Sequence, residues 1–292
     1  MIKRSKGELV FAVFNYTVLT VLAITTLYPF LYTLSISLSS AKEASRIGFH
    51  LYPKELSLMA YRMVFKNKDI FMAYGNTIFR TLAGTILALL VTSFYAYALA
   101  RKETPNKKLY TSILLFTMLF NGGQIPTYII LKELKLINSV WVYILPNLIT
   151  AYNVIIARSF FMSLPDSLHE SAKIDGAGEF KIFFRIIIPL SKPIIMTLAL
   201  WVAVFHWNSW YDSMMYINDQ SKIVVQAYLQ RIIQESNPEL IASGVINPDQ
   251  MQFTSETIKS ATIIVSILPI LAFYPFVQKY FITGVMLGAV KG

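Results

Sequence analysis

"YGNTIFRTLAGTILALLVTSFYAYALAR", residues 74–101, holds only two charges, Arg80 and the closing Arg101. A soluble helix shows an apolar stripe on one side and polar residues on the other. Here the apolar residues form one long run, and at about 1.5 Å per residue it is long enough to cross the ~30 Å hydrocarbon core of a bilayer. Such a run satisfies its backbone within itself only as an α-helix. The stretch reads as a membrane span.

Composition outside this stretch agrees. Of 292 residues, 55% are hydrophobic and 14% charged, against roughly 25% charged in soluble domains. Five further segments are long and apolar enough to cross, so the expected spans are 9–38, 74–100, 109–131, 140–162, 186–214 and 257–282. The expectation is an all-α, polytopic membrane protein, a single transmembrane domain over 1–292. The first segment is too long for a signal-peptide core and reads as an uncleaved span.

The net charge of +10 suits a nucleic-acid binder only if the basic residues form one face. They are scattered in short loops instead. With six spans, Lys3, Arg4, Lys6, Arg101, Lys102, Lys107, Lys108, Lys173, Lys181, Arg185, Lys279 and Lys291 all fall on one side. The positive-inside rule makes that side, and both termini, cytoplasmic. The opposite side is expected to carry a long loop over about 216–256. The first outer loop, with Lys42, Arg46 and Lys54, makes the pattern imperfect. Without cysteine there is neither disulfide nor thiolate metal site. His50, His169 and His206 are too far apart for metal-ligand spacing.

Arg80 is the main charge within the spans. Near an outer end, its stem is expected to reach the headgroups. Ion-coupled carriers and proton pumps hold acidic groups at mid-depth, and none is recognised here. Gly84 and Ala88, then Ala96 and Ala100, recur at four-residue spacing and allow close helix approach. In the third span "NGGQIP", residues 121–126, interrupts the apolar run. It is either a break lining a translocation path or a loop at the outer surface.

Between spans four and five stands "HESAKIDGAGEFKIFFRIIIPL", residues 169–190, too charged to face lipid. Pro165 stops the preceding span. Ser167 and Glu170 have capping-box spacing, and Gly176 and Gly178 close the resulting helix. Phe180, Phe183, Phe184 and Ile187 are expected on one face of the next helix, and Pro189 and Pro193 limit the approach to span five. Two short helices with a glycine joint, over 166–185, make either a lever for a soluble partner or an interfacial amphipathic helix.

The residues "ESAKIDGAGEFKIFFRIIIPLSKP", 170–193, resemble the coupling signature of ATP-binding-cassette importer permeases, E-A-A-x-x-D-G-A before a proline-bearing approach to the next span. Glu170, Ser171 and Ala172 stand for E-A-A, with serine replacing the first alanine; Asp175, Gly176 and Ala177 stand for D-G-A. The resemblance implies that this helix docks in a cytoplasmic ATPase subunit. "YALAR" at 97–101, "GGQIPTYIILKELKLINS" at 122–139 and "WNSWYDSMMYIND" at 207–219 resemble the smaller, second permease of maltose-type importers, and among these the importers of complex, uronic-acid-containing oligosaccharides. "GAVKG", with Gly288, Lys291 and Gly292, resembles the family tail that reaches the ATPase dimer. The implied complex holds a related second permease, two ATPase subunits carrying ATP and Mg, and an extracellular sugar-binding protein, in a prokaryotic cell membrane.

No G-x-x-x-x-G-K-[ST] loop occurs in the chain, so ATP hydrolysis is expected on a partner. No cluster of nucleophile, base and metal ligands marks an enzyme. Permeases for peptides or other solutes and ion-coupled carriers remain alternatives. Gln124, Asn153, Trp201, His206 and Asn208 are candidates for the substrate path, because polar groups within spans avoid lipid. Trp210 and Tyr211 fit an interfacial aromatic belt better.

Overall fold

A computed structural model of the chain describes residues 6–235 and 254–289, with side chains over 6–233 and 254–272. In chain order the helices are α1 (Lys6–Ser37), α2 (Ala41–Ala44), α3 (Met59–Lys66), α4 (Lys68–Ala100), α5 (Lys107–Leu119) and α6 (Gln124–Glu133). Two 3-10 turns, Val140–Tyr143 and Leu145–Asn147, lead to α7 (Ala151–Met162) and α8 (Asp166–Ile174). Then come α9 (Glu179–Leu190), α10 (Lys192–Asn208), α11 (Tyr211–Tyr216), α12 (Val225–Glu235) and α13 (Ser255–Ala289). Among the described residues the extended pairing is one isolated bridge, Ser39 to Leu56. The chain is all-α.

Helices α1 and α4 and the Ser255–Ala272 part of α13 are each long and apolar enough to cross a membrane. Three bent pairs bring the count to six if each is one span: α5 with α6 at 119°, the 3-10 turns with α7 at 51°, and α9 with α10 at 82°. Each break has a local cause. Phe120 to Gly123 separates α5 from α6, with Gly123 at φ 89°. Pro146 and Pro193 stand where the second half of each remaining pair begins or is about to, and proline removes a ladder donor. In the last pair α9 lies nearly at right angles to α10.

Two compact units are distinguished among the described residues, one of 6–68 with 229–235 and 254–268 and one of 69–228 with 269–289. In the first, the segment after α1 folds back through Ser57 N to Leu38 O (2.8 Å) and a Ser37–Tyr61 hydroxyl contact (2.8 Å). The most apolar window of α1 has no buried residue, so the rest of the described chain leaves it uncovered.

The second unit has two apolar clusters. One joins Ala96, Tyr97 and Leu99 of α4 to Val154 and Ala157 of α7, Ala172 of α8, Phe183 of α9 and Leu198 of α10. The other joins Leu131 to Tyr143, Ile217, Ile223 and Ala227. The small-residue spacing of α4 is used in this unit: a Cβ added to Gly84 would lie 2.8 Å from two carbons of the His206 ring. Only glycine lets α10 come so near.

Three local expectations are corrected. Arg80 does not reach outward; its side chain is 0% exposed and paired to Asp212. The capping box does not form, because Pro165, extended at ψ 129°, takes the cap position and Ser167 falls inside α8. The apolar face of α9 splits: Phe183 and Ile187 are buried, whereas Phe180 and Phe184 are exposed. A π-helical turn over Phe183–Ile187 widens the helical repeat and spreads these side chains. Within 216–256, a 3-10 turn at Gln220–Lys222 and α12 are formed, and 236–253 lies outside the described residues.

Candidate functional site

The 166–185 segment is a helix, a glycine joint and a second helix. Gly176 has φ +74°, and the N–H groups of Gly176 and Ala177 close on the carbonyls of Lys173 (3.0 Å) and Ala172 (2.9 Å). This is the Schellman ending that favours glycine. Gly178 has φ −72° and serves as the cap of α9, not as a second left-handed residue. Ala172 is buried in the first cluster, with Ala177 packed at its edge, so the two alanines of the signature face inward. Glu170, Ser171 and Asp175 face outward. Ile174 is 86% exposed and Phe180 73%.

The joint is tied to the end of α4. Tyr97 Oη donates to Glu179 Oε2 at 2.7 Å, Lys173 Nζ lies 3.0 Å from Oε1, and His169 Nε2 lies 3.2 Å from both oxygens. Arg101 Nη2 reaches His169 Nδ1 at 2.8 Å. Partial burial pushes the Glu179 carboxyl up, but the hydrogen bonds from Tyr97, Lys173 and His169 outweigh it and hold the group down at about 2. At the head of α8, Lys102 donates to Asp166 at 2.7 Å; that hydrogen bond raises the lysine and lowers the carboxyl.

Further along α4, Arg80 is enclosed. Nη1 donates to Asp212 Oδ1 at 3.0 Å and to the Ser209 carbonyl at 3.1 Å, Nη2 contacts Asp212 Oδ2, and the guanidinium carbon lies 4.8 Å from the Tyr143 ring centroid. Asp212 also lines an open cavity of about 500 Å³ with Asn147, Phe205, Asn208, Trp210 and Tyr211. Aromatic faces and amides suit sugar rings and hydroxyls.

The path candidates do not converge. Asn208 is in the cavity wall. His206 is buried against Gly84 and Arg80. Trp201 packs beside Tyr152, ring centroids 5.8 Å apart. Asn153 is half-buried on α7, and Gln124 is exposed at the start of α6. Gly288 is in the last turns of α13, whereas Lys291 and Gly292 lie outside the described residues.

Over residues 70–287 the chain matches the family described as binding-protein-dependent transport system inner membrane component. The chain belongs to this family. The permease is 40% identical over 291 residues to Protein LplC of Bacillus subtilis (strain 168), covering 99% of this chain and 97% of the relative. It is 38% identical over 282 residues to the polygalacturonan/rhamnogalacturonan transport system permease protein YtcP of the same organism, with 95% and 96% covered. In three dimensions the permease is similar, at a TM-score of 0.89 and 32% identity, to a chain of a bacterial ABC transporter involved in the import of the acidic polysaccharide alginate; 96% of this chain and 100% of that chain are covered. It is a multi-pass membrane permease of the ABC-importer type.

Two sets of residues escape a linear reading of the permease. Asp212 stands inside the expected 186–214 span, as an acidic group that the apolar pattern around it conceals. A lone cation and a lone anion in apolar segments are each costly, so the two are natural partners. Tyr97, His169 and Glu179 lie within quoted motifs, but their meeting depends on how α8 and α9 pack.

Proposed function

We propose that this permease is the smaller of two membrane subunits of an ATP-driven importer that passes oligosaccharide, with uronic-acid-containing chains as the favoured class, into the cell by alternating access. The observation that carries this reading is the glycine-jointed α8–α9 segment, with Glu170, Ser171, Ile174 and Asp175 facing out and Ala172 anchored in the core. An exposed, jointed helix backed by a packed cluster suits a lever gripped by a cytoplasmic ATPase subunit. Both termini and the lever lie in the cytoplasm in this reading, as the lysine and arginine pattern supports. The ATPase subunits supply ATP and Mg, a related second permease completes the pathway, and an extracellular sugar-binding protein delivers cargo. The tail, with Gly288, Lys291 and Gly292, reaches toward the ATPase dimer.

The names of the relatives support the cargo: one transports polygalacturonan and rhamnogalacturonan, and the solved transporter takes part in alginate import. They favour sugar over the peptide and ion-coupled alternatives. Among the path candidates Gln124, Asn153, Trp201, His206 and Asn208, the case for Asn208 rests on its place in the cavity beside Trp210.

The test is reconstitution of the full complex in vesicles with an oligogalacturonate probe. ATP-dependent uptake that survives an ionophore and is lost in Glu170→Lys, with the variant still inserted in the membrane, is expected. Uptake that needs an ion gradient and no ATPase would overturn the reading.

A further inference from the structure

One carboxylate, Glu179, collects donors from both sides of the joint and from α4. It sits in the first turn of α9, while Lys173 and His169 come from α8 and Tyr97 from the last turn of α4. Arg101, just past that turn, holds the other side of the His169 ring. A guanidinium offers donors only, so Nδ1 of His169 accepts from it and the ring proton is on Nε2, directed at Glu179. His169 is 3% exposed, so both ring nitrogens need these partners.

Apolar packing already holds the region together: Phe94 of α4 stacks on Phe183 of α9 at 4.6 Å, and Ala172 and Ile182 are buried beside them. Apolar contact is non-directional and permits sliding. Hydrogen bonds to a charge are short and directional. The polar cluster therefore adds resistance to shear between the joint and α4.

We propose that Glu179 is a positioning residue for energy coupling, locking α8 and α9 to the end of α4 so that a push on the joint moves α4 as a rigid rod. From Tyr97 to Arg80 the rod is about 25 Å long at ~1.5 Å per residue. At Arg80 it is fastened to Asp212 and Ser209, beside the cavity. Displacement of the joint thus reaches the cavity wall without passing through a flexible loop. The inference rests on the reading of the joint as the place where the ATPase acts.

The chain has no cysteine, so spin labels at Ala98→Cys and Ser167→Cys report specifically on α4 against α8. In the permease alone, in lipid nanodiscs, the label pair is expected to give one narrow distance distribution, broadened in Glu179→Gln and Tyr97→Phe. The carboxamide of the glutamine variant has one acceptor oxygen against several donors, and its NH2 opposes Lys173. In the full complex the variants should keep basal ATP hydrolysis yet import about tenfold fewer oligogalacturonate molecules per ATP, close to the lower end for loss of a hydrogen bond to a charged group. Glu179→Asp, which keeps the charge, should recover part of the ratio. If Glu179→Gln fails to assemble, Tyr97→Phe, which removes one hydroxyl, carries the test. An unbroadened distribution, or an unchanged ratio in both variants, overturns the clamp. Wild-type complex without ATP-driven uptake would overturn the transport reading instead, while the label pair still decides the clamp.

Discussion

Arg80 and Asp212, 132 positions apart in the chain, are joined side by side in the second unit, with Nη1 3.0 Å from Oδ1 and Nη2 also in contact with Oδ2. The pair holds α11 against α4 where the chain breaks after α10. Removing one member leaves the other charged, largely enclosed and unpaired, which typically costs about 3–5 kcal/mol. Arg80→Leu should lower the thermal stability of the purified protein by that order. The double variant Arg80→Leu with Asp212→Leu should lose less than the single one, because no orphan charge remains. Differential scanning fluorimetry in detergent checks both.

Gly84 and His206 make a second cycle. A methyl at Gly84 meets the imidazole ring, and overpacking of this kind costs about 1–3 kcal/mol. Gly84→Ala should destabilise by that order in the wild-type background and by much less when combined with His206→Ala. Equal costs in both backgrounds would show that α10 does not lie against Gly84.

Gly176 turns the joint at φ +74°. A residue with a Cβ pays about 1–2 kcal/mol there, little for the fold but enough to bias the angle between α8 and α9. Gly176→Lys should insert in the membrane at wild-type levels and lose uptake. Surviving uptake would remove the joint from the mechanism.

Acid provides another check on Glu179. Its carboxyl is held at about 2, below the ordinary value of 4.5. A depressed group stabilises above its unfolded value and loses that contribution as pH falls toward the folded one. The stability gap between wild type and Glu179→Gln should therefore still be present at about pH 5 and close as pH falls from about 4.5 toward 2. A gap that closes above about pH 5 would mean the carboxylate lacks the donors assigned to it. Tyr97, His169, Lys173 and Arg101 surround the group, so the same series on Tyr97→Phe separates the hydroxyl's share.

What the sequence determined by itself was set by solvent and by local chain chemistry. Lipid admits only backbone that bonds to itself, so long apolar runs announced the helices before any packing was known. Gly176 marked the end of α8 because a left-handed residue is cheap only for glycine. The signature at 170–177 pointed to the family by resemblance, and in the structure Ala172 packs into the core while Glu170 and Asp175 stay exposed. Tertiary structure decided where the isolated charges go. Arg80 looked like a headgroup anchor because nothing near it in sequence offered a partner; Asp212 arrives only when α10 lies on Gly84. The capping box failed for a nearer reason, as Pro165 took the position first. Glu179 was one charge among several until α8, α9 and α4 brought their donors to its two oxygens. The four-residue spacing at Gly84 and Ala88 marked α4 as open to close approach, but which residues meet across the chain follows from how the helices pack, and periodicity and composition do not specify it.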